Sequence, residues 1–179
     1  MSFPTPPSDR SDTDRHDRNS HGFVLGPDEG QAYQWLGSLS LTKVLGRDTG
    51  GRLDLVDHRV PAGYAPPRHV HRDADEVFYI VDGTLEVTCG DESWRVGPGS
   101  VVFLPRGVPH GFVAGPDGPA RTLLINAGAG FADVVAELGT RTSSVQLPGQ
   151  DAPMPDPEQI AEVSARHGID QAPSRGASN

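Results

Sequence analysis

The sequence predicts an all-β protein, an antiparallel sandwich or barrel finished by short helices. Three observations carry that expectation. Short apolar segments alternate with the two-residue period of half-buried strands. Turn signals separate them at spacings of about ten residues, with no long helical period among them. Glycine and proline number 22 and 17 in a chain of 179 residues, the composition of a backbone that reverses direction often.

Counting Ala, Val, Ile, Leu, Met, Phe, Trp, Tyr and Cys, residues 1–30 hold 5, residues 31–140 hold 47 and residues 141–179 hold 11. The core is therefore drawn from the middle of the chain. Residues 1–30 are Ser, Asp, Arg, Pro and His without period, too polar to offset chain entropy, and are expected to be a disordered N-terminal tail. His16 and His21 lie there with no neighbours to orient them as ligands.

The barrel is expected over residues 31–126. Its strands are read at Ser38–Thr42, Leu53–Leu55, Glu76–Ile80, Thr84–Cys89, Val101–Leu104 and Thr122–Ile125. Turns are read at Gly50-Gly51, Pro66-Pro67, Asp82-Gly83, Gly97-Pro98-Gly99 and Gly115 to Gly118. A helical extension follows over 127–170. Phe131, Val134, Val135 and Leu138 share one helical face, with Gly139 as C-terminal cap. Asp156 and Pro157 read as the N-cap and first residue of a second helix that runs to His167-Gly168. Residues 171–179 read as a disordered end.

Lys and Arg total 15 against 24 Asp and Glu, a net charge of -9, so nucleic acid and membrane surfaces are not expected as partners. No apolar run is long enough to span a bilayer, and the N-terminus lacks the basic and hydrophobic pattern of an export signal, so a cytoplasmic protein is expected. The single cysteine, Cys89, excludes an internal disulfide framework and a thiolate-rich zinc site. It alternates with Leu85 and Val87 and is read as a core thiol.

The informative stretch runs from Gly63 to Glu76. His69 and His71 are two apart, so on an extended chain both imidazoles leave one face. Glu76 opens an apolar row with Phe78 and Ile80, where an unpaired carboxylate would be costly and a divalent cation would remove the cost. His110 alternates with Val108 and Phe112, another polar ring on an apolar row. Three imidazoles and a carboxylate facing one interior suit one ion of iron, manganese, nickel, cobalt, copper or zinc, without choosing among them. The remaining polar neighbours have plainer readings: Asp73 and Asp75 as turn carboxylates, Arg68 and Arg106 as solvated strand-end charges, His58 and His167 as surface or helix-end residues.

These residues resemble the two motifs of the cupins. The first motif is a Gly, five residues, His-x-His, three or four residues, Glu, six residues and Gly, and it is met at Gly63, His69, His71, Glu76 and Gly83. The second is a Gly, five residues, Pro-x-Gly, two residues, His, three residues and Asn. It is met at Gly99, Pro105, Gly107 and His110, with Ala114 at the final position. That Asn is not a metal ligand in the family. The resemblance implies a cupin jelly-roll barrel (double-stranded β-helix) with the metal inside, held by His69, His71, Glu76 and His110. It also implies a homodimer.

Four protein ligands leave one or two positions open on the ion, the mark of a catalytic site. Phe78, Ile80, Leu85, Val87, Phe103, Val108 and Phe112 are the expected lining of a substrate pocket suited to a flat or aromatic small molecule. The run from His69 to Gly83, with Gly130-Phe131 and a short helix after the barrel, is similar to the single-barrel quercetin 2,3-dioxygenase-like group. That likeness implies cleavage or oxidation of an enolisable flavonol-like or phenolic substrate by dioxygen, with Glu76 as both ligand and base. A metal-dependent isomerase or polyketide-cyclase-like enzyme, and a small-molecule-binding cupin without catalysis, are the alternatives.

Overall fold

Backbone alternation becomes a barrel through two sheets that share one interior. The computed structural model describes residues 22–128, 130–149 and 154–173. Residues 1–21 of the expected tail, with His16 and His21, and residues 174–179 of the expected C-terminal end lie outside the described residues. Residues 22–30 run as coil and a turn into the first strand, and Lys43 Nζ donates to the carbonyls of Gly26, Pro27 and Glu29. That segment is tied to the barrel wall.

β1 (Gln31–Trp35) and β2 (Ser38–Val44) form a hairpin, and the single turn α1 (Gly46–Thr49) leads to β3 (Leu53–Val60). The ligand-bearing region follows as β4 (His69–His71) and β5 (Asp75–Asp82). Then come β6 (Leu85–Cys89), β7 (Glu92–Val96), β8 (Val101–Leu104), β9 (His110–Ala114) and β10 (Ala120–Ala127). After them stand α2 (Phe131–Leu138), β11 (Thr140–Thr142), α3 (Pro157–Arg166) and β12 (Ile169–Gln171). One sheet has 7 strands in the order β11-β1-β2-β3-β10-β5-β8, and the other has 5 in the order β12-β4-β9-β6-β7. This is the expected all-β jelly roll.

The extension after Ala127 holds two strands as well as the two expected helices. β11 pairs with β1, and β12 pairs with β4 through Ile169 opposite His71 and Gln171 opposite His69. The chain's end is thus a rail on the strand that carries two candidate ligands. Both helices begin and end where local chemistry predicts. The Asp156 carboxylate accepts from the Glu158 N–H at 2.8 Å, and Pro157 occupies the first turn, where its missing N–H is harmless. Gly139 closes α2 with its N–H donating to the Val135 carbonyl. Its φ of -77° suits any residue, and the need for glycine is space, since a Cβ would lie 2.5 Å from that carbonyl and 3.1 Å from Tyr33.

The inner face of the larger sheet is a grid set by register. Glu76, Asn126 and Asp54 form one row, Phe78, Leu124 and Val56 the next, and Ile80, Thr122 and His58 the third. All nine are buried. Val56, Phe78, Ile80 and Leu124 pack on Leu85, Val87, Phe112 and Ala114 of the smaller sheet. Each such large side chain contributes about 1.5–3 kcal/mol on burial, and none of the cluster's members is a candidate metal ligand. Ala114, at the second motif's departure, is core: it is buried, lies opposite Leu85, and its N–H donates to the Tyr64 carbonyl. Gly83 is compulsory at the β5–β6 turn, where φ is +73° and a Cβ would lie 2.5 Å from the Pro119 carbonyl.

Asp54 ties α2 to the grid. Gly130, the N-cap of α2, has no side chain, and the Asp54 carboxylate takes over by accepting from the Ala132 N–H at 3.1 Å and from Asn126 Nδ2 at 3.0 Å. Burial pushes its pKa up from the ordinary 3.8 to about 6, against those two hydrogen bonds. A carboxyl whose folded pKa is raised gives most stability below its unfolded pKa and loses it as pH rises through the folded one. The expected result is that wild type loses about 3 kcal/mol relative to Asp54→Asn between about pH 4 and pH 7, a two-unit shift at 1.36 kcal/mol each. Urea denaturation of both proteins across that range measures it, and parallel curves would refute it.

Candidate metal centre

The two-residue spacing of His69 and His71, and the strand pairing of β4 with β9, bring three rings together. His69 lies directly opposite His110, a register that places two side chains of one face at contact distance. Their ring centroids are 4.7 Å apart, with His71 at 5.1 Å from His69 and 5.4 Å from His110. Glu76 reaches in from β5, its Oε2 3.2 Å from His110 Nε2 and 3.9 Å from His71 Nε2. One ligand atom from each of the four residues lies within 4.8 Å of the others.

Surrounding contacts hold these side chains in place. His69 Nδ1 is 3.1 Å from the Pro67 carbonyl and His110 Nδ1 is 2.9 Å from the Val108 carbonyl. A carbonyl only accepts, so both rings carry their proton on Nδ1 and present Nε2 as a lone pair. The Gly107 N–H donates to the His71 carbonyl at 2.8 Å, fastening the second motif's loop to the first motif's strand. Arg106 grips the Asp75 carboxylate through Nε at 3.0 Å and Nη2 at 2.7 Å, so Asp75 locks that loop beside Glu76. Arg68 donates to the Gly90 and Pro109 carbonyls. Neither arginine is a free strand-end charge.

Burial pushes the His69 imidazole down to about 4 and His71 down as well, against the pull of the Glu76 carboxylate. Burial alone would raise Glu76, but the three imidazoles prevail and hold it at about 2. His69 and His71 thus offer neutral nitrogen and Glu76 an ionised oxygen, the protonation states that ligate. Nε2 of His71, Nε2 of His110 and Oε2 of Glu76 are buried with no hydrogen-bond partner. Orphaned buried groups cost about 1–3 kcal/mol each. A cation at their common focus would satisfy all three, so the residues present fit a first-row divalent ion.

The site opens into a cavity of about 80 Å³. His69 and Glu76 lie in its wall with Phe78 and Phe112, two of the expected pocket residues. Ile80, Leu85 and Val87 are instead sealed in the core, and Val108 packs half-buried against it. Phe103 is a correction: it is 59% exposed, because in β8 the inward parity belongs to Val102 and Leu104. His58 is a second correction, only 3% exposed and part of the cavity wall. It falls on the inward parity of β3. His167 caps α3 and contacts Glu137 at 3.2 Å. Cys89 is a buried core thiol, pushed up by burial and so unreactive.

The rest of the wall was invisible in the motifs. Trp35, Leu36, Tyr64, Phe131, Val134, Ile160 and Ile169 come from β1, the β1–β2 and β3–β4 loops, α2, α3 and β12. Their apolar character was legible, but which wall they join depends on the extension folding back. Among the described residues no helix is long and apolar enough to cross a membrane.

Residues 56–126 match the family model described as the Cupin domain. The chain is 31% identical over 90 residues to quercetin 2,3-dioxygenase of Bacillus subtilis, a match covering 50% of this chain and 27% of that protein. It is 47% identical over 38 residues to an uncharacterized protein of Streptomyces coelicolor, covering 21% of this chain and 36% of that one. The matches thus span only about a quarter to a third of these curated relatives. Among solved structures, the polyketide cyclase RemF from Streptomyces resistomycificus superposes with a TM-score of 0.52 at 26% identity, over 59% of this chain and 79% of that one. An RmlC-like cupin from Shewanella frigidimarina gives 0.53 at 19% identity, over 65% and 98%, a likeness of fold alone.

Proposed function

We propose, for a chain that belongs to the cupin superfamily, a metal-dependent enzyme that oxidises or cleaves an enolisable aromatic small molecule with dioxygen. The observation that carries this reading is the meeting of a three-histidine, one-carboxylate cluster, in which His71, His110 and Glu76 each hold an unpartnered buried atom, with an aromatic-walled cavity. His69, His71, Glu76 and His110 would hold the ion. When bound, the ion supplies Lewis acidity toward an enol or phenol oxygen and, if redox-active, a route for electrons to dioxygen.

The remaining work falls to the chain's own side chains. Phe78 and Phe112 pack edge to face, at 86° to one another and 5.6 Å apart, and would offer a flat ligand the apolar face of one ring and the edge of the other. Phe131 and Val134 of α2, with Ile160 of α3 and Ile169 of β12, close the wall on the side of the extension and would exclude water. Glu76 would accept the substrate hydroxyl proton at a carboxylate oxygen. Held at about 2, it is always ionised but a weak base, so the transfer needs a hydroxyl already acidified.

The second reading is metal-dependent cyclisation or isomerisation without oxygen, which the similarity to a polyketide cyclase favours. A homodimer belongs to the proposal through family likeness. The test is reconstitution with iron, manganese, nickel, cobalt, copper and zinc in turn, followed by oxygen-electrode assays with a flavonol and simple phenols. Metal-dependent oxygen uptake is the expected result. Substrate turnover without uptake would move the assignment to the cyclase-like reading, and ligand binding without turnover would leave a binding protein.

A further inference from the structure

His58 stands in neither motif, yet the fold seats it in the cavity wall two rows along the grid from Glu76. Four residues of strand separate those rows, about 13 Å. Its ring sits edge-on among Tyr64, Phe112 and Phe131, with centroids at 5.9, 6.2 and 6.4 Å. Ser38 Oγ, itself buried, donates its single proton to the Trp35 carbonyl. It can therefore only accept at its 2.9 Å contact with His58 Nε2. That contact fixes the Nε2–H tautomer and leaves His58 Nδ1 as a bare acceptor.

His58 Nδ1 and the Tyr64 hydroxyl are both buried without a hydrogen-bond partner. Burial raises the Tyr64 hydroxyl to about 12 even though Ser38 stands near enough to pull it down, so it keeps its proton. Buried polar atoms are nearly always paired, so two orphans in one cavity wall call for a shared explanation. One is an acceptor and the other carries a donor. A hydroxyl is the ligand group that answers both, donating to His58 and accepting from Tyr64. An ether or carbonyl oxygen can only accept. Burial keeps the imidazole uncharged down to about 4, against the pull of Glu76 and Asp57, so the acceptor survives at neutral pH.

We propose that Ser38, His58 and Tyr64 form a hydroxyl-reading station at the end of the cavity remote from the metal ligands, which positions the distal hydroxyl of a multi-ring aromatic ligand. His58 is a positioning residue here, acting on the end of the ligand that does not react. The inference rests on the reading that this cavity takes an aromatic ligand, and the test separates the two.

The probes are 2-naphthol and 2-methoxynaphthalene, titrated into the purified full-length protein by naphthalene fluorescence. Wild type is expected to bind the naphthol about tenfold more tightly, the scale of one hydrogen bond. In His58→Phe, which keeps ring volume, that preference should collapse to about twofold or less while the ether still binds. Ser38→Ala releases the tautomer, lets Nδ1 carry a proton, and should raise the ether's affinity relative to wild type. Independently of any variant, 15N–1H correlation spectra of ligand-free wild type should show the His58 proton on Nε2. A proton on Nδ1, or an unchanged preference in His58→Phe, overturns the station alone. Failure of both probes to bind wild type overturns the cavity reading and the station with it.

Discussion

Replacing His110 by alanine is expected to remove metal and turnover together. Its imidazole is the ring nearest Glu76, at 3.2 Å, and lies directly opposite His69 across the β4–β9 pair. Deleting it takes away one of four ligands and opens a void where the others converge. Even the outer partners of a metal ligand cost 10–100-fold in affinity when lost, so a ligand itself should cost at least about 100-fold. After equilibration and desalting, wild type should hold about one equivalent of a first-row divalent ion and the variant less than about a tenth. The barrel should persist, because the cluster around Phe78, Ile80, Leu85 and Val87 does not include His110. Elemental analysis by plasma mass spectrometry, with circular dichroism melting as the control, gives the answer. A folded His110→Ala protein with full metal content would place the ion elsewhere.

Glu76→Gln is expected to separate ligation from proton transfer. Glutamine keeps the size and one oxygen donor, so the three imidazoles and an amide oxygen should still retain substantial metal, more weakly than wild type. An amide accepts no proton. If Glu76 is the base, turnover per bound metal ion should fall by roughly 100-fold or more, the scale of general-base catalysis. Dividing the rate by the measured metal content removes the affinity effect from the comparison. Turnover per ion equal to wild type would make Glu76 a ligand only, and the cyclase-like reading would gain over the dioxygenase one.

Much of the site was legible before any fold was known. The ligands announce themselves because His69 and His71 are two apart and Glu76 and His110 each interrupt an apolar row, and strand geometry alone converts those spacings into shared faces. Helix α3 was legible to its cap, since Asp156 and Pro157 act within one turn. Strand β7 was not: its residues are almost all exposed, so no burial alternation marks them. Phe103 misled because an all-apolar strand such as Val101 to Leu104 carries no signal of which parity faces in. Only its pairing with β5, Val77 opposite Phe103 and Phe78 opposite Val102, decides that.

By itself the sequence determined the strand-rich class, the four candidate ligands, both C-terminal helices and the core role of Cys89. These depend on neighbours within a few residues, where backbone geometry leaves few choices. The tertiary structure alone decided that β12 rails β4, that the extension walls the cavity, that Asp54 caps α2 from another strand, and that Ser38 sets the tautomer of His58 from 20 positions away. Such contacts join segments distant along the chain, and which of many apolar surfaces meet is settled by the packing of the whole core, which no local pattern encodes.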